Sequence, residues 1–251
     1  MKKIIGFIFI IVITFSGCKA ELNCCENIKT VNVTLNFTHN WDGVPVTSSD
    51  FKIFKFINKN GESISIERLR YVVSNINIGD LNNNYQLINV GDNTGLEIEF
   101  NQVPSGNQQL KFTFGFSDTD NTDGIYQDLN SVNFNVPEML GGGYHYMQFD
   151  GKYLDTNNQE SGFNYHAIRA VDRTDPNILK FEDTSFEIDL GAIDLKENTT
   201  IEINVNLAEW FKNPNTWNLN QLNTVLMPNF EAQKLMSANG KSVFSLGKVG
   251  S

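Results

Sequence analysis

Apolar and polar residues alternate over several long runs of this chain, and the alternation predicts strands. In TVNVTLNFTHN, Val31, Val33, Leu35, Phe37 and His39 share one face, while Asn32, Thr34, Asn36 and Thr38 share the other. His39 extends that apolar row to the strand's end, with Trp41 two residues further, and WDGVP then turns the chain. Ser63 to Asp80 reads as one long or bent strand, and DLNNNY as the turn that leads into Tyr85 to Val90. Leu96 to Phe100 and Leu110 to Phe116 follow, separated by the turn-rich QVPSGNQQ. Asp183 to Leu190 and Thr200 to Leu207 complete the set, the latter with Ile201, Ile203, Val205 and Leu207 facing inward.

Strands joined by short polar turns, with no helical period between them, predict an all-β fold: a single antiparallel β-sandwich. Helix is expected only near the C-terminus. Asn229 can cap a segment from Phe230 to about Ala238, ended by Asn239-Gly240, and Leu219 to Met227 reads as a second helix stopped by Pro228. No internal repeat, low-complexity linker or second core is visible, so one domain is expected from about residue 30 to 251.

The stretch from Pro137 to Ala170 holds two of the three histidines. In GYHYMQFD, strand alternation groups His145 with Met147 and Phe149; in GFNYHAIR it groups Asn164, His166 and Ile168. The polar GKYLDTNNQES between them can close a hairpin. A symmetric closure pairs Asp150 with Ser161 and sets His145 opposite His166, with Cβ atoms roughly 4.5–5.5 Å apart, close enough for two imidazoles to hold one metal ion. A slip of one residue would send the rings to opposite faces. The preceding Gly141 to Gly143 is followed by a strand rather than a helix, so it reads as a lead-in of unusual backbone angles, not a phosphate cradle.

The chain's start has the form of an export signal: basic Lys2 and Lys3, then an apolar run from Ile4 to Phe15. That run would make a helix of roughly 18 Å, short of the ~30 Å needed to span a bilayer. FSGC at 15–18 resembles a bacterial lipobox, which implies removal of residues 1–17, acylation of Cys18 and a lipidated tether over 18–29. The acyl chains would hold the protein in the lipid bilayer of the bacterial cell envelope, expected at the outer membrane. Cys24 and Cys25 fall in that tether, adjacent, and do not form a structural zinc pattern. Formal net charge is −10, falling to −12 without Lys2 and Lys3, which excludes a phosphate-backbone reader and leaves cationic ligands open.

Catalytic signatures are missing. There is no G-x-S-x-G, H-E-x-x-H or P-loop, and no nucleophile–base pair, so a non-enzyme is expected. SDTDNTDGIYQD resembles a calcium loop only in composition, because Thr122 and Asp123 stand where a ligand and a glycine belong. Glu97 and Glu99 alternate with apolar residues as an ordinary solvent face does. What remains is His39, His145 and His166 in strand-like runs, with Met147 as a possible thioether partner. Imidazole suits copper and zinc, and an added thioether leans toward copper.

The succession LNFTHNWDGVPV, ISIERLRYVVSNINI, FTFGFSDTDN, GGGYHYMQFDGKY, GFNYHAI, IEINVNLAEWF and NGKSVFSL resembles the MbnP-like copper-binding domain associated with methanobactin systems. The resemblance spans about Val31 to Leu246 and implies a β-sandwich of the cell envelope that binds copper for uptake, storage or delivery. It also implies a di-haem peroxidase-like partner that can oxidise a tryptophan near the metal to kynurenine. By position, His39 matches the family's first-strand histidine and His166 that of its F-x-H strand. His145 stands where the family often has none. PEMLGGG lacks the tryptophans that usually precede the G-Y strand, leaving Trp41 as the tryptophan nearest a histidine in sequence. The alternative expectation is a metal-free module for glycans or an envelope partner, using Trp41, Tyr144, Trp210 and Trp217 as exposed stacking surfaces.

Overall fold

The opening alternation forms β1 (Thr30–Trp41), whose odd-numbered side chains from Val31 to Trp41 are all buried. The computed structural model describes residues 29–175 and 178–250, so the expected export signal, the expected lipidated tether and all three cysteines lie outside the described residues. Strands β2 (Val44–Pro45), β3 (Phe56–Ile57), β4 (Ser63–Ile78), β5 (Leu81–Asn89), β6 (Glu97–Pro104) and β7 (Gly106–Phe114) follow in order. After a short helix, α1 (Gln127–Ser131), come β8 (Met147–Leu154), β9 (Glu160–Ala167), β10 (Ala170–Asp172) and β11 (Lys180–Glu182). The chain ends with β12 (Phe186–Leu195), β13 (Thr199–Asn206), helix α2 (Phe230–Gly240) and β14 (Phe244–Gly250).

Two sheets stack face to face. One runs β14-β13-β1, with β2 and β6 both pairing with the far edge of β1; the other runs β12-β7-β4-β8-β9, with β3 and β5 added along β4. Strand pairing is antiparallel except between β1 and β13, which run parallel in the register Phe37↔Ile203 and His39↔Val205. Aromatic rings bridge the sheets, Phe37 to Phe112 at 5.7 Å and Phe112 to Phe244 at 5.5 Å. Each fully buried Leu, Ile or Phe of this layer contributes roughly 1.5–3 kcal/mol of transfer free energy, an upper estimate.

The long strand β4 is bent by design of its sequence. Its pairing with β8 shifts by one between Ile66 and Arg68, a bulge that changes which side chains face inward. Before the bulge Ile64 and Ile66 are buried; after it Leu69 and Tyr71 are, and Arg68 and Arg70 emerge on the outer face. A second shift, between Ser74 and Asn77, lies at Asn75 with φ +48°.

Several boundaries differ from expectation. β5 starts at Leu81, because the turn is only Gly79-Asp80 and Asn82 and Asn83 pair with β4. The helix predicted over Leu219 to Met227 is irregular turn instead. Its backbone is held by Trp217 Nε1 donating to Leu222 O and by Asn164 N donating to Asn223 O, contacts a helix could not keep. α2 forms as expected, with Asn229 Oδ1 accepting from Ala232 N at its start.

Candidate metal centre

Strand β8 sits between β4 and β9, and its pleat sends Met147 and Phe149 into the core and Gln148 and Asp150 outward. Two polar rows cross the three strands on that outer face. One is Arg70, Gln148 and His166; the other is Arg68, Asp150 and Asn164. The predicted hairpin register is therefore wrong by three residues. Gln148, not His145, lies opposite His166, and Ser161 pairs with Tyr153, because both strands run further into the loop than expected.

The two rings nevertheless meet. Tyr144, His145, Tyr146 and Met147 are all buried, but the chain through the first three is not regular strand. Tyr146 N donates to Ala167 O at 2.7 Å and its carbonyl accepts from Val72 N at 2.9 Å, but regular strand begins only at Met147. Upstream, Val136 N donates to Gly143 O and His145 N to Phe134 O at 2.9 Å, a short return of the chain made possible by Gly141, Gly142 and Gly143, all at positive φ. This irregularity brings the His145 ring to the His166 ring, with centroids 5.2 Å apart and planes at 83°.

Each ring is oriented by one nitrogen and leaves the other free. His145 Nδ1 lies 3.0 Å from Phe134 O, which only accepts, so Nδ1 carries the proton and Nε2 the lone pair. His166 Nε2 lies 2.7 Å from Asp150 Oδ1. Burial alone would raise the Asp150 carboxyl. The hydrogen bond and charge of His166, Asn164 Nδ2 at 2.6 Å and Arg68 outweigh that and hold it at about 2. It is therefore an ionised acceptor, His166 Nε2–H donates to it, and the Nδ1 lone pair is left open in the neutral ring. His145 Nε2 and His166 Nδ1 are both buried and without a hydrogen-bond partner. Burial also holds the His145 imidazole down at about 4, against the hydrogen bond to Phe134 and helped by its neighbours His166, Arg70 and Arg68, so it is neutral at pH 7. Two imidazoles, each fixed by a carbonyl or a carboxylate behind it, are the arrangement that metal-binding histidines show.

The other two predicted ligands lie elsewhere. His39 is on the inner face of β1, where its Nε2 shares a 2.9 Å hydrogen bond with Tyr71 Oη. Tyr71 is the β4 partner of Met147, and both belong to the core, on the side of the sheet away from the His166 row. The third imidazole and the thioether thus do not join the His145–His166 pair. Among the described residues no group of three or more His, Cys, Asp or Glu side chains is placed to hold an ion. The partners that sequence reading missed are Asp150, Gln148, Arg68 and Arg70. Gln148 and Asp150 were readable as one face of MQFD, but the bulge that turns the arginines toward them leaves no local signal.

Burial holds the His39 imidazole down at about 4 from 6.5, so it folds neutral and excludes a proton that the unfolded chain takes up. With the folded value lowered, its stability contribution is complete above about pH 6.5 and is lost as pH falls toward 4. At pH 5 the loss from this group is about 2 kcal/mol. Urea denaturation at pH 7.5 and 5 is expected to show that slope, and His39→Gln to remove this share of it. An unchanged slope in the variant would refute the assignment.

The fold is a two-sheet β-sandwich that carries an oriented imidazole pair on one outer face, with the His145 ring buried and the His166 ring largely so. The MbnP family model matches residues 30–228, and the chain belongs to that family. Among solved structures, MbnP from Methylosinus trichosporium superposes with a TM-score of 0.51 over 75% of this chain and 80% of that one. At 13% identity that likeness is one of fold. No curated protein sequence matches the chain.

Proposed function

We propose that this protein is an exported, non-catalytic copper-binding member of its family, anchored in the cell envelope through acylated Cys18, with His145 Nε2 and His166 Nδ1 as donors. The observation that carries the reading is the pair of buried, partnerless imidazole nitrogens on rings 5.2 Å apart. A buried polar atom without a partner is costly, and a bound ion is the simplest occupant that satisfies two lone pairs at once. Neutral imidazole suits copper, and the ion would be cargo held for uptake, storage or delivery. The export signal and lipobox-like FSGC support the location, and the family resemblance supports both the metal and a peroxidase-like partner.

The glycan-binding alternative loses its support. Trp41, Tyr144, Trp210 and Trp217 are between 0% and 5% exposed, so none offers a ring to a sugar. Titration of the mature protein with copper against a competing chelator is expected to give one equivalent bound. His145→Ala and His166→Ala should each lose it, while His39→Gln keeps it. Undiminished binding by either of the first two variants would overturn the site.

A further inference from the structure

The surroundings of the imidazole pair carry an unusual charge balance. Arg70 Nε donates to Gln148 Oε1 at 2.6 Å, and its guanidinium lies 5.4 Å from the centre of the Phe134 ring, the residue whose carbonyl orients His145. Arg68 is bound to Asp150 Oδ2, while Asp150 Oδ1 takes His166 and Asn164. Both oxygens of the nearest carboxylate are therefore engaged, and no anionic oxygen is left to face an ion. Asp150 offsets Arg68. Arg70 is bonded only to a neutral amide, and exposed Asp92 acts on it more weakly than Asp150 does. The Arg70 charge is brought to the site by geometry, since it bonds the Gln148 side chain that flanks His166 and faces the ring of Phe134, whose carbonyl orients His145.

Resting on the reading that His145 and His166 bind metal, we infer that Arg70, backed by the Arg68–Asp150 pair, is a specificity-determining residue that makes the site choose ions by charge. It admits a soft monovalent ion and disfavours divalent ones. The reason is Coulombic. Two neutral donors add no negative charge, so the incoming ion meets a net positive surrounding, and the repulsion scales with the ion's own charge. A divalent ion meets twice the penalty of a monovalent one. In a site with a free carboxylate the order would reverse. Arg70 stays on its neutral partner because the row Arg70–Gln148–His166 is fixed by the register of β4, β8 and β9.

The test uses two redox-inert d¹⁰ ions, Ag(I) and Zn(II), in nitrate buffer, titrated against competing chelators. Removing one unit of charge with Arg70→Gln is expected to tighten Ag(I) about threefold and Zn(II) about tenfold, the divalent gain being the square of the monovalent one. Arg70→Lys keeps the charge and should keep the wild-type selectivity, which separates charge from packing. Equal gains for the two ions, or loss of selectivity in Arg70→Lys, would overturn the inference while leaving the metal site standing. Wild-type protein that binds neither Ag(I) nor Cu(I) would instead remove the site itself, and the inference with it. Should Arg70→Gln fail to fold, Arg70→Met, which keeps an unbranched stem without the charge, takes its place with the same expected ratio of gains.

Discussion

Gly115→Ala is expected to cost about 2–5 kcal/mol of folding stability, and the loss should reach the imidazole pair. Gly115 follows β7 at φ +79°, a conformation that an L-side chain adopts only with strain of roughly 1–2 kcal/mol. A Cβ there would lie 2.4–2.7 Å from three carbons of the Tyr146 ring, well inside contact distance. Tyr146 is fully buried and cannot swing into solvent, so overpacking adds about 1–3 kcal/mol. Gly115 is itself tied down, its N–H donating to Val72 O and its carbonyl accepting from Ser74 Oγ at 2.6 Å. The ring must therefore move, and Tyr146 is the residue next to His145. Gly162→Ala is the control. It has no positive φ, its nearest new contact is Gly151 O at 3.9 Å, and its effect should stay within about 0.5 kcal/mol. Urea midpoints at constant m-value would compare the two. Similar midpoints for both variants would refute the packing role assigned to Tyr146.

How much of this molecule could be read beforehand depended on whether the signal was local. β1 was legible because its inner face is an unbroken alternation that runs through a buried His39 to Trp41. The helix α2 was legible because Asn229 and Asn239-Gly240 mark its ends. Leu219 to Met227 misled because Leu219 and Leu226 are buried one by one beneath turns, which mimics a helical period without forming one. The parallel pairing of β1 with β13 joins residues more than 160 positions apart and has no local sign. At the site, the proximity of His145 and His166 was anticipated through a wrong register. A three-residue slip alone would have set the rings on opposite faces, but the chain also departs from the pleat before Met147, and the two deviations offset each other. The tyrosines that hold this departure, with Tyr144 Oη bonded to Asn130 Oδ1 at 2.9 Å, read in the sequence as plain alternation. His39 could not be excluded from the pair until the sheets were assembled, because its place on an inner face says nothing of which sheet it looks toward.

Asp150→Asn is expected to weaken metal binding about 10–100-fold while leaving both histidines in place. The carboxylate fixes His166 as the Nε2–H tautomer, which is what frees Nδ1. With an amide at position 150, Arg68 and Asn164 both still donate toward it and compete for its one oxygen, leaving the NH₂ group for His166. An N–H donor facing Nε2 favours the tautomer with the proton on Nδ1, and the lone pair that would hold the ion is lost. The same change leaves Arg68 without its counter-charge and adds to the repulsion an ion meets. Stability should follow a separate course. The Asp150 carboxyl is held at about 2, below its ordinary 3.8, so its contribution is present above about pH 4 and is lost as pH falls through 2. That shift corresponds to roughly 2 kcal/mol at neutral pH, absent in the variant. Denaturation at pH 7 should therefore separate wild type from Asp150→Asn by about that amount, and the gap should close near pH 2. Competition titration with Cu(I) at pH 7 reads the other effect. Full affinity retained alongside the lost stability would show that Asp150 only braces the sheet, and that the tautomer of His166 is set by something else.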